Sequence, residues 1–227
     1  MRLDEFSVVV FDLDDTLYLE RDYVLSGFHA VGDALTREFS WNVAAGERFT
    51  NLCCRLFQDG HRGDIFNRAL KIIGCSEPAI QDLVHRYRTH CPKISLQDDA
   101  QALLEQLRSQ RVWIITDGPL ESQKRKVAAL QLQRWTNDVI YTDEWGKAYW
   151  KPSPRAFEHV MQSTGAEPSE CVYIADNPTK DFIAPDQLGW KSLRIRRPYG
   201  LHAALENPPN SPPNAEINDF SSILQLP

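Results

Sequence analysis

Two carboxylates, Asp12 and Asp14, stand directly after an apolar run in the stretch Val8-Val9-Val10-Phe11-Asp12-Leu13-Asp14-Asp15-Thr16-Leu17. Like charges this close repel, so a fold that keeps both in one place calls for a cation between them. The same stretch is compatible with a strand ending in an Asx-type turn, where an Asp merely caps a helix. A second apolar run, Val112-Trp113-Ile114-Ile115, ends in Thr116-Asp117-Gly118. A hydroxyl and free backbone N–H groups at a strand end, followed by a helix, make an anion site. Lys151 precedes Pro152 and is therefore kept out of the helix that follows. Its ammonium is suited to act as a point charge for phosphate, the plain alternative being a solvated surface lysine. A third run, Val172-Tyr173-Ile174-Ala175, meets Asp176, and Asp181 follows five residues later.

Groups that act together must be positioned by elements that converge. Each of the three runs is short, apolar and bounded by polar residues, which reads as a strand buried on both faces. In open α/β sheets ligands bind just beyond the carboxyl ends of the strands, where these residues fall. Between the runs the pattern turns helical. Ala100, Leu103, Leu104 and Leu107 define one amphipathic helix, and residues 122–130 read as another. Ser153 is a candidate N-cap with Pro154 at the first helical position, and Gly165 a stop. Val139 to Tyr141 and Ser192 to Ile195 read as further strands, and residues 206–214, rich in Pro and Asn, as an irregular excursion. Strands alternating with helices predict an α/β fold, a Rossmann-like parallel sheet with helices on both faces.

From Tyr18 to about Lys93 the strand signal disappears. Apolar residues at helical spacing (Val24, Phe28, Val31, Leu35, Phe39) open a block of four helices. The sequence therefore reads as a core of residues 1–17 and 94–227 with an inserted all-helical cap of residues 18–93.

The 227 residues suffice for one large domain with an insertion. The net charge of −6 argues against a nucleic-acid partner, which favours a basic stripe. The charged start Met1-Arg2-Leu3-Asp4-Glu5, the lack of an apolar membrane-length stretch and five cysteines without zinc-ligand spacing lead us to expect a cytoplasmic protein with reduced thiols. The six histidines share no ligand spacing, and no catalytic or metal role is expected of them. Gln123 and Lys124 are read as decorating a helix start.

Asp-x-Asp-x-Thr after a buried strand, a lone Thr at the next strand end, a Lys before a capped helix, and Asp-x-x-x-x-Asp after a further strand occur here in order. In this the chain resembles the haloacid-dehalogenase-like (HAD) superfamily over essentially its whole length. It departs from the usual pattern at Asp117, where the superfamily often has Asn, and at Ala175, where Gly is common. Neither is expected to matter, because the contact looked for from Asp117 is through its backbone N–H.

The resemblance implies a phosphoryl-transfer enzyme using Mg²⁺. Asp12 would be the nucleophile, and Asp14 the acid that protonates the leaving alkoxide and then the base that deprotonates water. Thr116, Asp117, Gly118 and Lys151 would bind the phosphoryl oxygens. The metal set would be the Asp12 carboxylate, the Asp14 carbonyl and Asp176, with Asp181 holding a metal-bound water or orienting Lys151. Dehalogenases lack the second Asp, so Asp14 favours a phosphatase, with a phosphomutase or a non-catalytic HAD-like module as alternatives. A type-1 helical cap implies a small phosphorylated metabolite as substrate. Glu20, Arg21, His61 and Arg62 are candidate specificity residues, with solvated loop charges as the plain alternative. Neither the substrate nor the oligomeric state is legible.

Overall fold

The computed structural model describes residues 1–109 and 111–224, of Ser109 the backbone alone. Strand β1 (Val8–Phe11) is followed by four helices: α1 (Glu20–Glu38), α2 (Val43–Gln58), α3 (Ile65–Ile73) and α4 (Ile80–Thr89). The alternation then resumes with α5 (Asp98–Gln106), β2 (Arg111–Thr116), α6 (Leu120–Ala129), β3 (Val139–Tyr141) and α7 (Arg155–Thr164). It continues through β4 (Cys171–Ala175), α8 (Ile183–Leu188), β5 (Lys191–Ile195) and β6 (Ala215–Ile217).

The six strands form one parallel sheet in the order β3-β2-β1-β4-β5-β6. Every residue of β1 and β4 is buried, as continuous apolar runs with no alternation require. The chain order reverses at β1, between β2 and β4, which is where such sheets open a crevice. Register aligns the ends: Phe11 pairs with Ile114 of β2 and with Ile174 of β4. Asp12, Thr116 and Asp176 therefore leave the sheet at one edge. One face is closed by Phe157 of α7, whose ring meets Tyr173 edge-on at 4.9 Å and Trp190 at 5.4 Å. On the other, Phe220 meets Phe11 at 6.0 Å.

The chain divides into two compact units, residues 1–21 with 94–227, and residues 22–93. The second is all helical. Its interior is aromatic: the Phe28, Phe49, Phe57, Phe66 and Tyr87 rings lie within 5.9–6.2 Å of a neighbour. Helices α1 and α2 approach closely where Gly32 faces Gly46, for a Cβ on Gly46 would stand 2.9 Å from the Gly32 carbonyl oxygen.

Two local expectations are corrected. Pro154, not Ser153, is the N-cap of α7, so the helix starts one residue later and the Ser153 hydroxyl accepts from the Arg155 N–H at 3.4 Å. Strand β6 was not foreseen, because three residues, Ala-Glu-Ile, carry no periodicity to read. The five cysteines are unpaired. Among the described residues no helix is long and apolar enough to cross a membrane.

Candidate active site

Three buried carboxylates meet where β1 and β4 end. Asp12 continues β1, its N–H donating to the Ile174 carbonyl at 2.8 Å. Asp176 continues β4. Asp181 returns to the same place because residues 177–181 form a tight turn, in which the Asn177 N–H donates to its Oδ2 at 3.0 Å and its own N–H donates to the Asn177 carbonyl at 3.1 Å. One oxygen from each of Asp12, Asp176 and Asp181 lies within 4.8 Å of the others. Burial, opposed in part by Lys151, pushes Asp12 up to about 7. Burial pushes Asp176 up to about 8.

Lys151 is the cation inside this group. Its side chain is fully buried, pairs with Asp12, lies 2.8 Å from Asp181 Oδ1 and donates to the Tyr173 hydroxyl at 2.9 Å. Burial lowers the ammonium's pKa, but Asp12 and Asp181 outweigh it and hold Lys151 well above the usual lysine range. One monovalent cation among three carboxylates leaves negative charge uncompensated. The all-oxygen donor set is the kind a hard divalent cation takes, so the residues present fit such an ion.

Asp14 is half-buried and held from three sides. Lys126 of α6 donates to both of its oxygens, at 2.7 and 2.9 Å, Gln123 Nε2 donates at 3.2 Å, and the Tyr18 hydroxyl donates as well. Burial would raise Asp14, yet Lys126 dominates and its carboxyl lies below the ordinary range. The reading of Gln123 as helix decoration is overturned. It is buried, and its Oε1 accepts from Thr116 Oγ1 at 3.0 Å, so its amide links the ends of β1 and β2. Lys126 was missed altogether. The available signal was its i+3 spacing from Gln123, which puts both on one face of α6. Lys124 does sit outside, paired with Glu144 at 3.0 Å.

Asp117 also departs from expectation, because its side chain is engaged. It accepts from Thr142 Oγ1 at 2.7 Å and from the Lys151 N–H at 3.2 Å, and it pairs with Lys180 at 2.7 Å. The Asp117 carboxylate thus holds a third lysine, after Lys151 and Lys126, at the strand ends. Gly118 turns the chain at φ 120°, and a Cβ there would stand 2.6 Å from Gln123 Nε2, so only glycine fits.

Asp15, at φ 52°, caps the start of α1 by accepting from the Glu20 N–H at 2.8 Å and also accepts from the Leu201 N–H at 2.6 Å. His202 lies 2.9 Å from Asp176 and 3.2 Å from Asn177 Nδ2, although it was not among the candidate site residues. It is delivered by buried Arg194, which donates to the carbonyls of Asp176 (3.1 Å), His202 (2.9 Å) and Leu205 (2.8 Å). Of the candidate specificity residues, Glu20 is pushed up to about 7 by burial and by Asp14, and Arg21 lies over the Tyr199 ring at 5.5 Å. His61 and Arg62 belong to the helical unit. There Arg62 donates to the Phe57 and His61 carbonyls, each at 2.7 Å, and covers the Phe57 ring at 4.0 Å.

The family model for haloacid dehalogenase-like hydrolases matches residues 6–189. The chain belongs to the haloacid dehalogenase-like hydrolase family. Similar to it is glyceraldehyde 3-phosphate phosphatase of Methanocaldococcus jannaschii, 25% identical over 226 residues, covering 96% of this HAD-like chain and 95% of that protein. N-acylneuraminate-9-phosphatase of Rattus norvegicus is 27% identical over 141 residues, 61% of this chain, and the match spans only 53% of that protein's length. The magnesium-bound HAD-hydrolase YfnB of Bacillus subtilis shares the fold, with a TM-score of 0.69, 18% identity and coverage of 98% and 97% of the two chains.

The raised carboxyls of this HAD-like core predict an inverted pH dependence of stability without metal. Asp12, Glu20 and Asp176 ionise at about 7, 7 and 8 in the folded state, above their usual values of 3.8, 4.5 and 3.8. The folded state holds these protons more tightly than the unfolded chain does. Their contribution is therefore complete below the unfolded values and is lost as pH rises to about 8. The metal-free Tm should fall from pH 5 to pH 8, and a divalent cation should flatten the fall. Scanning calorimetry in chelator and in excess cation checks this, and parallel curves would contradict it.

Proposed function

We propose that this chain is a phosphatase that hydrolyses a small organic phosphomonoester through an aspartyl-phosphate on Asp12, with Mg²⁺ as cofactor. The observation that carries this reading is the pair of unlike carboxylates at the end of β1: Asp12, buried against Lys151, and Asp14, held separately by Lys126. A halide leaves without a proton, whereas an alkoxide needs one. The relatives named as phosphatases support the same substrate class.

Asp12 Oδ would attack phosphorus as the ester P–O bond breaks, and Asp14, which must first take up a proton in the substrate complex against the pull of Lys126, would deliver it to the departing oxygen. Asp14 would then take a proton from the water that attacks the phosphoryl group, releasing inorganic phosphate and restoring Asp12. Thr116, the amides near Asp117 and Gly118, and Lys151 would receive the equatorial oxygens. Asp12, the Asp14 carbonyl and Asp176 would hold Mg²⁺, with Asp181 beside them. When bound, it would supply the positive charge that lets a carboxylate approach a phosphate dianion. We read residues 18–93 as the inserted cap and Glu20, Arg21, His61 and Arg62 as candidates for contact with the leaving portion. A cytoplasmic setting accords with five unpaired cysteines.

A panel of phosphorylated metabolites assayed for Mg²⁺-dependent release of inorganic phosphate tests the reading. Stoichiometric release excludes a pure mutase. Beryllofluoride with Mg²⁺, a mimic of the phosphorylated aspartate, should raise the Tm by mass action. No release from any substrate together with an unmoved Tm would sink the proposal.

A further inference from the structure

We infer that Lys126 is a positioning residue that fixes Asp14 for proton transfer. The inference rests on the reading of Asp14 as the acid and base of a phosphatase. A carboxylate three residues past the end of β1 is not aimed by the strand, and its χ angles leave it several directions. Here the direction is set by α6. Lys126 is 3% exposed, and its ammonium meets both Asp14 oxygens, at 2.7 and 2.9 Å. Gln123, one turn earlier on the same helix, donates to Asp14 Oδ2 at 3.2 Å and accepts from Thr116 Oγ1 at 3.0 Å. The Tyr18 hydroxyl completes the set.

The arrangement differs from that of the lysine already assigned. Lys151 faces Asp12, Asp181 and Tyr173, whereas Lys126 meets both oxygens of Asp14. A buried ammonium bidentate on one carboxylate is a costly feature unless both charges are satisfied, and here each satisfies the other. The proton-transferring group thus has its own cation on a rigid helix, separate from the cation on the attacking group. Such a support holds a reacting group to the tolerance proton transfer needs. It should matter most where the leaving oxygen most needs a proton.

The test is a leaving-group series. With the holoenzyme in Mg²⁺, kcat/KM is measured for an alkyl phosphate such as glycerol phosphate, for phenyl phosphate and for 2,4-dinitrophenyl phosphate. This ratio reports steps through departure of the leaving group. Lys126→Met should lose roughly 30-fold or more on the alkyl phosphate, progressively less along the series, and at most about threefold on the dinitrophenyl ester, whose phenolate leaves without a proton. On that ester kcat should fall, and a burst of dinitrophenolate should accompany phosphoenzyme, because attack by water still requires the base. A residue needed only for folding would lower all three ratios alike, and that result would overturn the role, as would no loss on any substrate. If Lys126→Met does not fold, Lys126→Arg, which keeps the charge but not the compact ammonium, is read by the same slope. Asp14→Asn in parallel separates the two ideas. If Asp14→Asn shows the graded loss and Lys126→Met a uniform one, the positioning role falls and the phosphatase reading stands. A uniform loss in Asp14→Asn overturns both.

Discussion

Replacing Asp12 by Asn should abolish turnover and leave a folded protein that, without metal, is at least as stable above pH 7 as the parent. The two halves of the expectation come from different properties of one side chain. An amide is nearly the same size as a carboxylate, so the buried pocket at the end of β1 keeps its packing and its backbone bond to Ile174. It is a poor nucleophile for phosphorus, so no aspartyl-phosphate forms. We expect a loss of at least about 10³-fold, equivalent to roughly 4 kcal/mol in barrier height. Stability moves the other way because burial and the neighbouring carboxylates outweigh Lys151 in pushing Asp12 up to about 7. Ionised Asp12 therefore costs the metal-free fold stability at pH 8, and Asn removes that cost. Steady-state assays of purified variant and parent, with calorimetry in chelator at pH 8, give both readouts. Activity within about tenfold of the parent, only ~1.4 kcal/mol, would exclude Asp12 as the nucleophile.

What could be read in advance follows from what each feature depends on. The strands at Val8, Val112 and Val172 were legible because a parallel sheet buried on both faces leaves no polar alternation to confuse the pattern. The carboxylates after them were legible because they are sequence neighbours of those strands. Gln123, Lys126, Lys180 and His202 were not. Their roles depend on which helix face or loop the fold turns toward the crevice, and a lone Lys on a helix is most often solvated. Lys126 and Gln123 face inward because α6 starts immediately beyond Gly118 and must pack back onto the sheet. His202 comes in only because Arg194, an arginine in a buried strand, finds its acceptors in the loop that carries the histidine. The Asp117–Lys180 pair was hidden for another reason. Reading Asp117 as a silent replacement for Asn ignored that a buried carboxylate needs a cation where an amide does not, and the lysine beside Asp181 supplies it.

Replacing Lys151 by Met should be costly to the fold and to every substrate alike. The ammonium is the fully buried partner of Asp12 and Asp181, and Met fills a similar volume without charge. Removing one partner of a buried ion pair strands the other, a penalty of about 3–5 kcal/mol. Here two carboxylates are stranded, but Asp12 escapes part of the penalty by taking up a proton. Asp12 already ionises at only about 7 with Lys151 present, and without it the carboxyl must rise further. The deficit of Lys151→Met relative to the parent should therefore be largest near pH 8 and shrink toward pH 5, where Asp12 is protonated in both proteins. Chemical denaturation at the two pH values measures this, and a deficit independent of pH would mean that packing, not charge, is what the lysine contributes. Catalysis should show a matching uniformity. The group lies beside Asp12, the proposed nucleophile, so on that proposal its loss would be felt through the attacking carboxylate and the phosphoryl oxygens common to all monoesters. kcat/KM should drop by a similar factor for alkyl and aryl phosphates, unlike the graded loss expected of Lys126→Met. If the two lysine variants instead gave the same leaving-group profile, the division of the site into one cation for attack and another for proton transfer would be wrong.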